Sequence, residues 1–392
     1  MSEKFDFDTI ISRRNTNSYK WDTTPDERVQ PMWVADMDFH TAPAIVDTLA
    51  RRVQHGIFGY THVPEQYYNA TVEWFSSRHN WKINPESIIY TSGVVPAISA
   101  IIKAFTSPGD AVATFSPVFN CFYSSIRNNG CAVAPIPLII INNRYEIDFG
   151  ALYSTFSRPD VKMFLLCNPH NPGGRVWTRN ELLQIAEIAQ NNNVIVVSDE
   201  IHCELTYPGY SYTPYGTLPH NLVNNAVICS SPSKAFNIAG LQIANIVACD
   251  KQMMQKIDKA ININEVCDVN PFGVEALIAA YTQGRPWLDA LNKYLYDNYL
   301  FVKEYCDKNL TPLKMMSAES TYLAWIDCRE LALTSDEIDV ILQREAHIRV
   351  SPGNIFGPEG EGFIRLNFAC PRKILQHTLP ELGVLIGRNI ER

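Results

Sequence analysis

Ala226-Val227-Ile228-Cys229 runs directly into Ser230-Ser231-Pro232-Ser233-Lys234-Ala235-Phe236. The first four residues are wholly apolar, which predicts a short strand buried on both faces. A lysine among serines at the end of such a strand is poorly placed for a core. It is well placed to meet an anionic ligand that carries a carbonyl. Seryl hydroxyls can donate to a phosphate, and the amine can attack an aldehyde. A surface loop would show the same pattern, so the surrounding chain has to decide.

Working outward, the pattern repeats. Ile88-Ile89-Tyr90-Thr91 reads as a strand, then Ser92-Gly93-Val94-Val95-Pro96 turns into a helix over Ala97–Phe105. Such a turn leaves backbone N–H groups free at a helix start, which suits an anion. Ala111–Phe115 is a strand before Ser116-Pro117-Val118-Phe119, and Val161–Cys167 is a strand before Asn168-Pro169-His170-Asn171. Val194–Val197 is a strand ending in Ser198-Asp199-Glu200. Apolar strands alternating with amphipathic helices predict an α/β fold with a mostly parallel sheet. Ligands of such sheets lie beyond the carboxyl ends of the strands. Gly93, Phe119, Asn171, Asp199 and Lys234 all fall there.

The remaining chain suggests a second, smaller α+β unit. A helical stretch near Gly284–Asn309 is followed by strands at Thr321–Asp327, His347–Val350 and Phe363–Phe368, with a helix at 336–346. The expected division is 1–45 as an N-terminal arm with part of the small domain, 46–285 as the large domain and 286–392 as the small domain. Two other stretches stand out. Pro31–Phe39 is apolar but punctuated by acids, and could cross between domains and line a cleft. Gly56-Ile57-Phe58-Gly59-Tyr60-Thr61 is a glycine-flanked aromatic loop whose tyrosine could reach a ligand or a partner subunit.

Composition removes several functions. The net charge of −8 argues against a general nucleic-acid binder, which needs a basic face. The apolar runs are too short to span a bilayer, and the first residues lack a signal-like apolar segment. Ten scattered cysteines without a CxxC pair read as reduced thiols of a cytoplasmic protein, and no histidine spacing suggests a metal site.

A phosphorylated aldehyde cofactor needs a lysine for its carbonyl, a carboxylate for its ring nitrogen, donors for its phosphate and a flat partner for its ring. Asp199, at the end of an apolar strand, is a carboxylate in need of a cation. Taken together, PMWVADMDF (31–39), GIFGYT (56–61), SGVVPAI (92–98), CNPHNPGGRVW (167–177), VVSDEIH (196–202), SPSKAFNIAGLQ (231–242) and GEGFIRLNFACPR (360–372) resemble a fold-type I pyridoxal-phosphate enzyme of the aspartate aminotransferase superfamily, in its cystathionine β-lyase branch.

That resemblance implies a seven-stranded, mostly parallel sheet between helices and a homodimer with shared active sites. It implies that Lys234 joins pyridoxal 5'-phosphate and later moves the α-proton, and that Asp199 pairs with the ring nitrogen. Asn171 would donate to the ring 3-oxygen and touch the substrate. Gly93, Val94 and Val95, with Ser231 and Ser233, would hold the phosphate, joined by Tyr60 of a second subunit. Arg365 would clamp the substrate carboxylate beside Asn171 and Ala35. Three positions depart from common patterns: Phe119 stands where the branch usually stacks a tyrosine on the ring, and His202 and Gln242 replace the tyrosine and arginine of typical aminotransferases. The last two changes match the lyase branch, and His202 joins the cofactor-binding set. The implied activity is α,β-elimination, cleaving L-cystathionine or related S-substituted L-cysteines to a thiol, pyruvate and ammonia. Alternatives on the same scaffold are an aminotransferase for aromatic or neutral amino acids and a regulatory binding protein.

Overall fold

The alternation of apolar strands and helices folds as expected into a seven-stranded sheet. The computed structural model describes residues 5–263 and 269–387. The strands are β1 (Ile88–Thr91), β2 (Ala111–Ser116), β3 (Ala132–Pro137), β4 (Val161–Cys167), β5 (Ile195–Asp199), β6 (Ala226–Ser230) and β7 (Ala244–Ala248). Their order across the sheet is β1-β7-β6-β5-β4-β2-β3. β7 runs antiparallel to both β1 and β6, and the other neighbours pair in parallel. The C-terminal ends of the six other strands therefore share one edge of the sheet. The antiparallel β7 went unread in the sequence, because its apolar run follows the lysine loop with no break that marks it as a strand.

Strand parity explains why the sheet is buried on both sides. Ala111, Ala113, Phe115, Phe164, Leu166, Val196 and Ile228 pack into one core. Val112, Met163, Leu165, Cys167, Val197, Val227 and Cys229 pack into another, on the opposite face. The helix after β1 starts at Val94, three residues earlier than the sequence reading, and no side chain caps that end. The sequence placed Pro96 before the helix, whereas it sits inside the first turn, where a missing N–H costs nothing.

A 25-residue helix, Arg285–Asn309, leads to a second sheet of β8 (Lys314–Met315), β9 (Leu323–Asp327), β10 (Ser351–Pro352) and β11 (Phe363–Asn367), ordered β8-β9-β11-β10. The N-terminal arm joins this region. Gln30–Pro31 pairs in parallel with Ile348–Arg349. Buried charges pin the arm further: Lys20 Nζ donates to Asp38 at 2.8 Å, and Arg13 bonds Asp36 at 2.6 Å and Asp38 at 2.8 Å. Buried ions persist only when paired in this way. The pairing draws Trp33–Asp38 across the edge of the large sheet. Among the described residues no helix is long and apolar enough to cross a membrane.

Candidate active site

Five strand ends converge on a cavity of about 290 Å3. Its lining contains Ala35, Gly93, Val94, Val95, Phe119, Asn171, Asp199, His202, Ser233 and Lys234, which are ten of the residues singled out in the sequence. Parallel strands in register bring the ends together: Asp199 pairs with Cys167 on one side and Cys229 on the other. Neither neighbour carries charge. The Asp199 carboxyl receives a hydrogen bond from the Ile201 amide at 3.1 Å. Burial therefore pushes its pKa up to about 7, opposed by that amide and by the Lys234 ammonium.

Lys234 is half-buried, and its Nζ donates to the Ala35 carbonyl at 2.8 Å. Burial lowers its pKa, and the positive charge of Arg365 lowers it further, which favours the nucleophilic neutral amine. His202 is buried, and its Nδ1 has no hydrogen-bond partner. Burial, together with the cations Lys234 and Arg365, brings it down to about 3, so the ring stays neutral. At neutral pH the ring is therefore an unprotonated polar contact, neither an imidazolium proton donor nor basic enough to serve as a general base.

Arg365, from β11, lies behind Asn171. Its Nη1 donates to Asn171 Oδ1 at 3.0 Å and its Nη2 to the Trp33 carbonyl at 2.9 Å, while the guanidinium lies 4.6 Å from the Phe356 ring centroid. This bond turns the Asn171 oxygen to Arg365 and leaves its NH2 group as the available donor. Arg365 is buried, pairs with no carboxylate among the described ion pairs, and keeps Nε without a partner. Burial brings it down to about 10. A buried cation without an anion is costly, and a ligand carboxylate would relieve the cost.

Three expected residues lie outside this lining: Arg365, which stands behind Asn171, Ser231 and Tyr60. Ser231 is outside the lining, because its Oγ donates to the Ile243 carbonyl at 2.6 Å and accepts from the Ser233 amide at 3.1 Å. Its hydroxyl proton is thus spent on shaping the loop, while Ser233 faces the cavity. Tyr60 is 98% exposed and lies outside this chain's own cavity. The sequence reading missed Ser92, Cys167, Ile201 and Ala239 in the lining, and Gln242 appeared there only as a departure from a pattern. It also missed Tyr322, whose hydroxyl donates to the Ala35 carbonyl at 3.0 Å. No local signal could have found a tyrosine 88 positions beyond the lysine.

The donor set fits pyridoxal 5'-phosphate. A lysine of lowered pKa and a buried carboxylate without an ion pair face one cavity, the uncapped helix start at Gly93–Val95 supplies N–H groups for a phosphate, and Phe119 supplies a flat apolar face.

Comparison with known proteins agrees. The family model for aminotransferase class I and II matches residues 34–381. The chain is 40% identical to cystathionine beta-lyase PatB of Bacillus subtilis, over 97% of this chain and 100% of that protein. Among solved structures, cystalysin from Treponema denticola, which contains pyridoxal 5'-phosphate, superposes with a TM-score of 0.96 at 33% identity, covering 98% of this chain and 100% of that one. The PLP-bound C-S lyase from Staphylococcus hominis gives 0.91 at 30%, covering 98% and 99%. The chain belongs to the class I and II aminotransferase family.

Proposed function

We propose that this protein is a pyridoxal-phosphate-dependent carbon–sulfur β-lyase, cleaving L-cystathionine or related S-substituted L-cysteines to a thiol, pyruvate and ammonia. The observation that carries the reading is the convergence of Lys234, Asp199 and Asn171 on one cavity, with Arg365 hydrogen-bonded behind Asn171, in a chain whose relatives include a named cystathionine beta-lyase. When bound, the cofactor supplies an electron sink for the pair left at the substrate Cα.

Each residue then has a task set by its surroundings. Lys234 holds the cofactor and, once freed, takes the α-proton on Nζ; its lowered pKa keeps the amine able to do so. Asp199 holds a proton on the ring nitrogen by charge pairing, and gains the cation that its buried position lacks. Arg365 holds the substrate carboxylate beside Asn171, with Ala35 lining the same cavity as Asn171. Gly93, Val94, Val95 and Ser233 bind the phosphate, with Gln242 in the same lining. Phe119 would offer its face to the ring and His202 a neutral polar contact.

The active unit in this reading is a homodimer. Its support is the exposed loop carrying Ile57, Phe58 and Tyr60, 67%, 55% and 98% accessible, in a motif whose tyrosine would serve the neighbouring subunit's phosphate. The domain boundaries at residues 45 and 285 are proposed with it, supported by the two sheets on either side of the second boundary. A cytoplasmic setting is proposed from the nine described cysteines, all free.

Cofactor-loaded protein given L-cystathionine without any keto acid tests the activity. Continuous pyruvate release over many turnovers is expected. Less than one equivalent per site, with turnover restored by 2-oxoglutarate, would overturn the lyase in favour of an aminotransferase.

A further inference from the structure

The four residues Trp33-Val34-Ala35-Asp36 form a strap whose carbonyls are each held by a side chain from elsewhere. Trp33 O accepts from Arg365 Nη2 at 2.9 Å and Ser351 Oγ at 3.0 Å. Val34 O and Asp36 O both accept from Asn367 Nδ2, at 2.6 Å. Ala35 O accepts from Lys234 Nζ at 2.8 Å and from the Tyr322 hydroxyl at 3.0 Å. All donors except Lys234 come from beyond residue 320, so the strap is moulded by β10, β11 and the start of β9.

One of these bonds differs in kind. The proposed chemistry requires Lys234 to leave Ala35 O and to return, whereas every other donor can stay. A half-buried carbonyl that loses its donor resists the loss, because an unmade hydrogen bond in a low-dielectric site is expensive. Tyr322 removes that resistance. Its side chain is fully buried, its hydroxyl already occupies the second lone pair of Ala35 O, and burial holds the phenol far above its ordinary pKa, so it remains a donor.

We infer that Tyr322 is a positioning residue for Lys234: it keeps the Ala35 carbonyl satisfied and oriented, so that the lysine amine is released to react and has a fixed place to return to. The inference rests on the cofactor reading above. It predicts two linked effects of losing the hydroxyl. The carbonyl becomes a stronger, sole-purpose acceptor for the lysine, so the amine is freed less often. The charged amine, with its extra N–H, gains more from that acceptor than the neutral amine does. The groups that otherwise set the lysine's charge, Arg365, Asp36, Asp199 and Cys121, are unchanged.

Tyr322→Phe keeps the ring and removes only the hydroxyl. The test uses cofactor-stripped protein and pyridoxal 5'-phosphate, following visible absorbance as the neutral amine adds to the aldehyde and water leaves. Recombination is expected to slow about three- to tenfold, with its acid limb moved to higher pH. In the loaded enzyme kcat should fall by a similar factor while KM holds. A Tyr322→Phe protein that recombines at the wild-type rate with an unmoved pH limb overturns the inference, even if its melting temperature drops, since a purely structural tyrosine would act on stability alone. Wild-type protein that fails to recombine at all overturns the cofactor reading and this inference together. Wild-type protein that recombines but releases no pyruvate overturns the lyase reading only, and slowed recombination in the variant then still supports the role of Tyr322.

Discussion

Two buried carboxylates five residues apart behave in opposite ways. Asp199 ends β5 between two cysteines and stands at about 7 because burial outweighs one amide and a lysine. Glu204 is equally buried, but Trp74 Nε1 at 2.7 Å, Arg78 Nε at 2.5 Å and His79 Nε2 at 2.7 Å surround it. Burial raises that group too, but His79 and Arg78 outweigh it and bring it to about 2. Glu200 lies between them and also stands at about 7, raised by burial, but four neutral donors satisfy it and it does not line the cavity. The difference teaches that burial alone does not mark a site. An incompletely neutralised charge facing open space does, because only a ligand can complete it. Glu204, His79 and Cys203 present ligand atoms within 4.8 Å of one another, and both oxygens of Glu204 are already engaged, Oε1 by His79 Nε2 at 2.7 Å and Oε2 by Arg78 Nε at 2.5 Å.

The comparison can be attacked from its largest consequence down. Lys234 is the cation that partly offsets Asp199, so Lys234→Ala should remove the cofactor-dependent visible absorbance and lower pyruvate release by about a thousandfold. Undiminished turnover would show that the cavity is not the reaction centre.

Asp199→Asn should cost about a hundredfold in turnover by the same assay, since the ring nitrogen loses its charge partner. It should have the reverse effect on the stability of the cofactor-free protein. A folded Asp199 at about 7 binds a proton that the unfolded chain, near 3.8, has released. Stability from this group therefore falls as pH rises through the window between about 4 and 7, by something on the order of 3 kcal/mol. Denaturant titrations at pH 5 and pH 8 should show the wild type losing more stability than the variant across that window. Parallel losses in the two proteins would mean that Asp199 is not destabilised by burial.

Glu204→Gln should leave kcat untouched and lower folding stability by about 3–5 kcal/mol near neutral pH, because Arg78 and His79 lose their buried anion. In the wild type that contribution is present above the ordinary range for glutamate and is lost as pH falls toward about 2. A pyruvate assay of the cofactor-loaded variant checks the first claim and a calorimetric scan the second. Lost turnover in a stably folded variant would dissolve the distinction between the two regions.

Much of the site was readable before the fold was known, and for a specific reason. Gly93, Phe119, Asn171, Asp199 and Lys234 each follow an apolar strand run, and a parallel sheet sends all such ends to the same edge. The surroundings of Ser231 were not legible, because a hydroxyl in a loop can serve either a ligand or its own backbone, and the Ile243 carbonyl it bonds here lies 12 positions away. Tyr60 is legible only as part of an exposed aromatic loop, and it is 98% accessible in this chain.

The sequence by itself determined the α/β class, the lysine and the carboxylate, because strand periodicity and local turn chemistry are encoded within a few residues of each element. Only the tertiary structure decided that Arg365 stands behind Asn171, that Ala35 O is shared by Lys234 and Tyr322, and that Asp199 lacks the ion pairs that settle Glu204. Those relations join residues up to 287 positions apart. They are set by how two sheets and an N-terminal arm pack, and no local pattern records which buried charge is left for a ligand to complete.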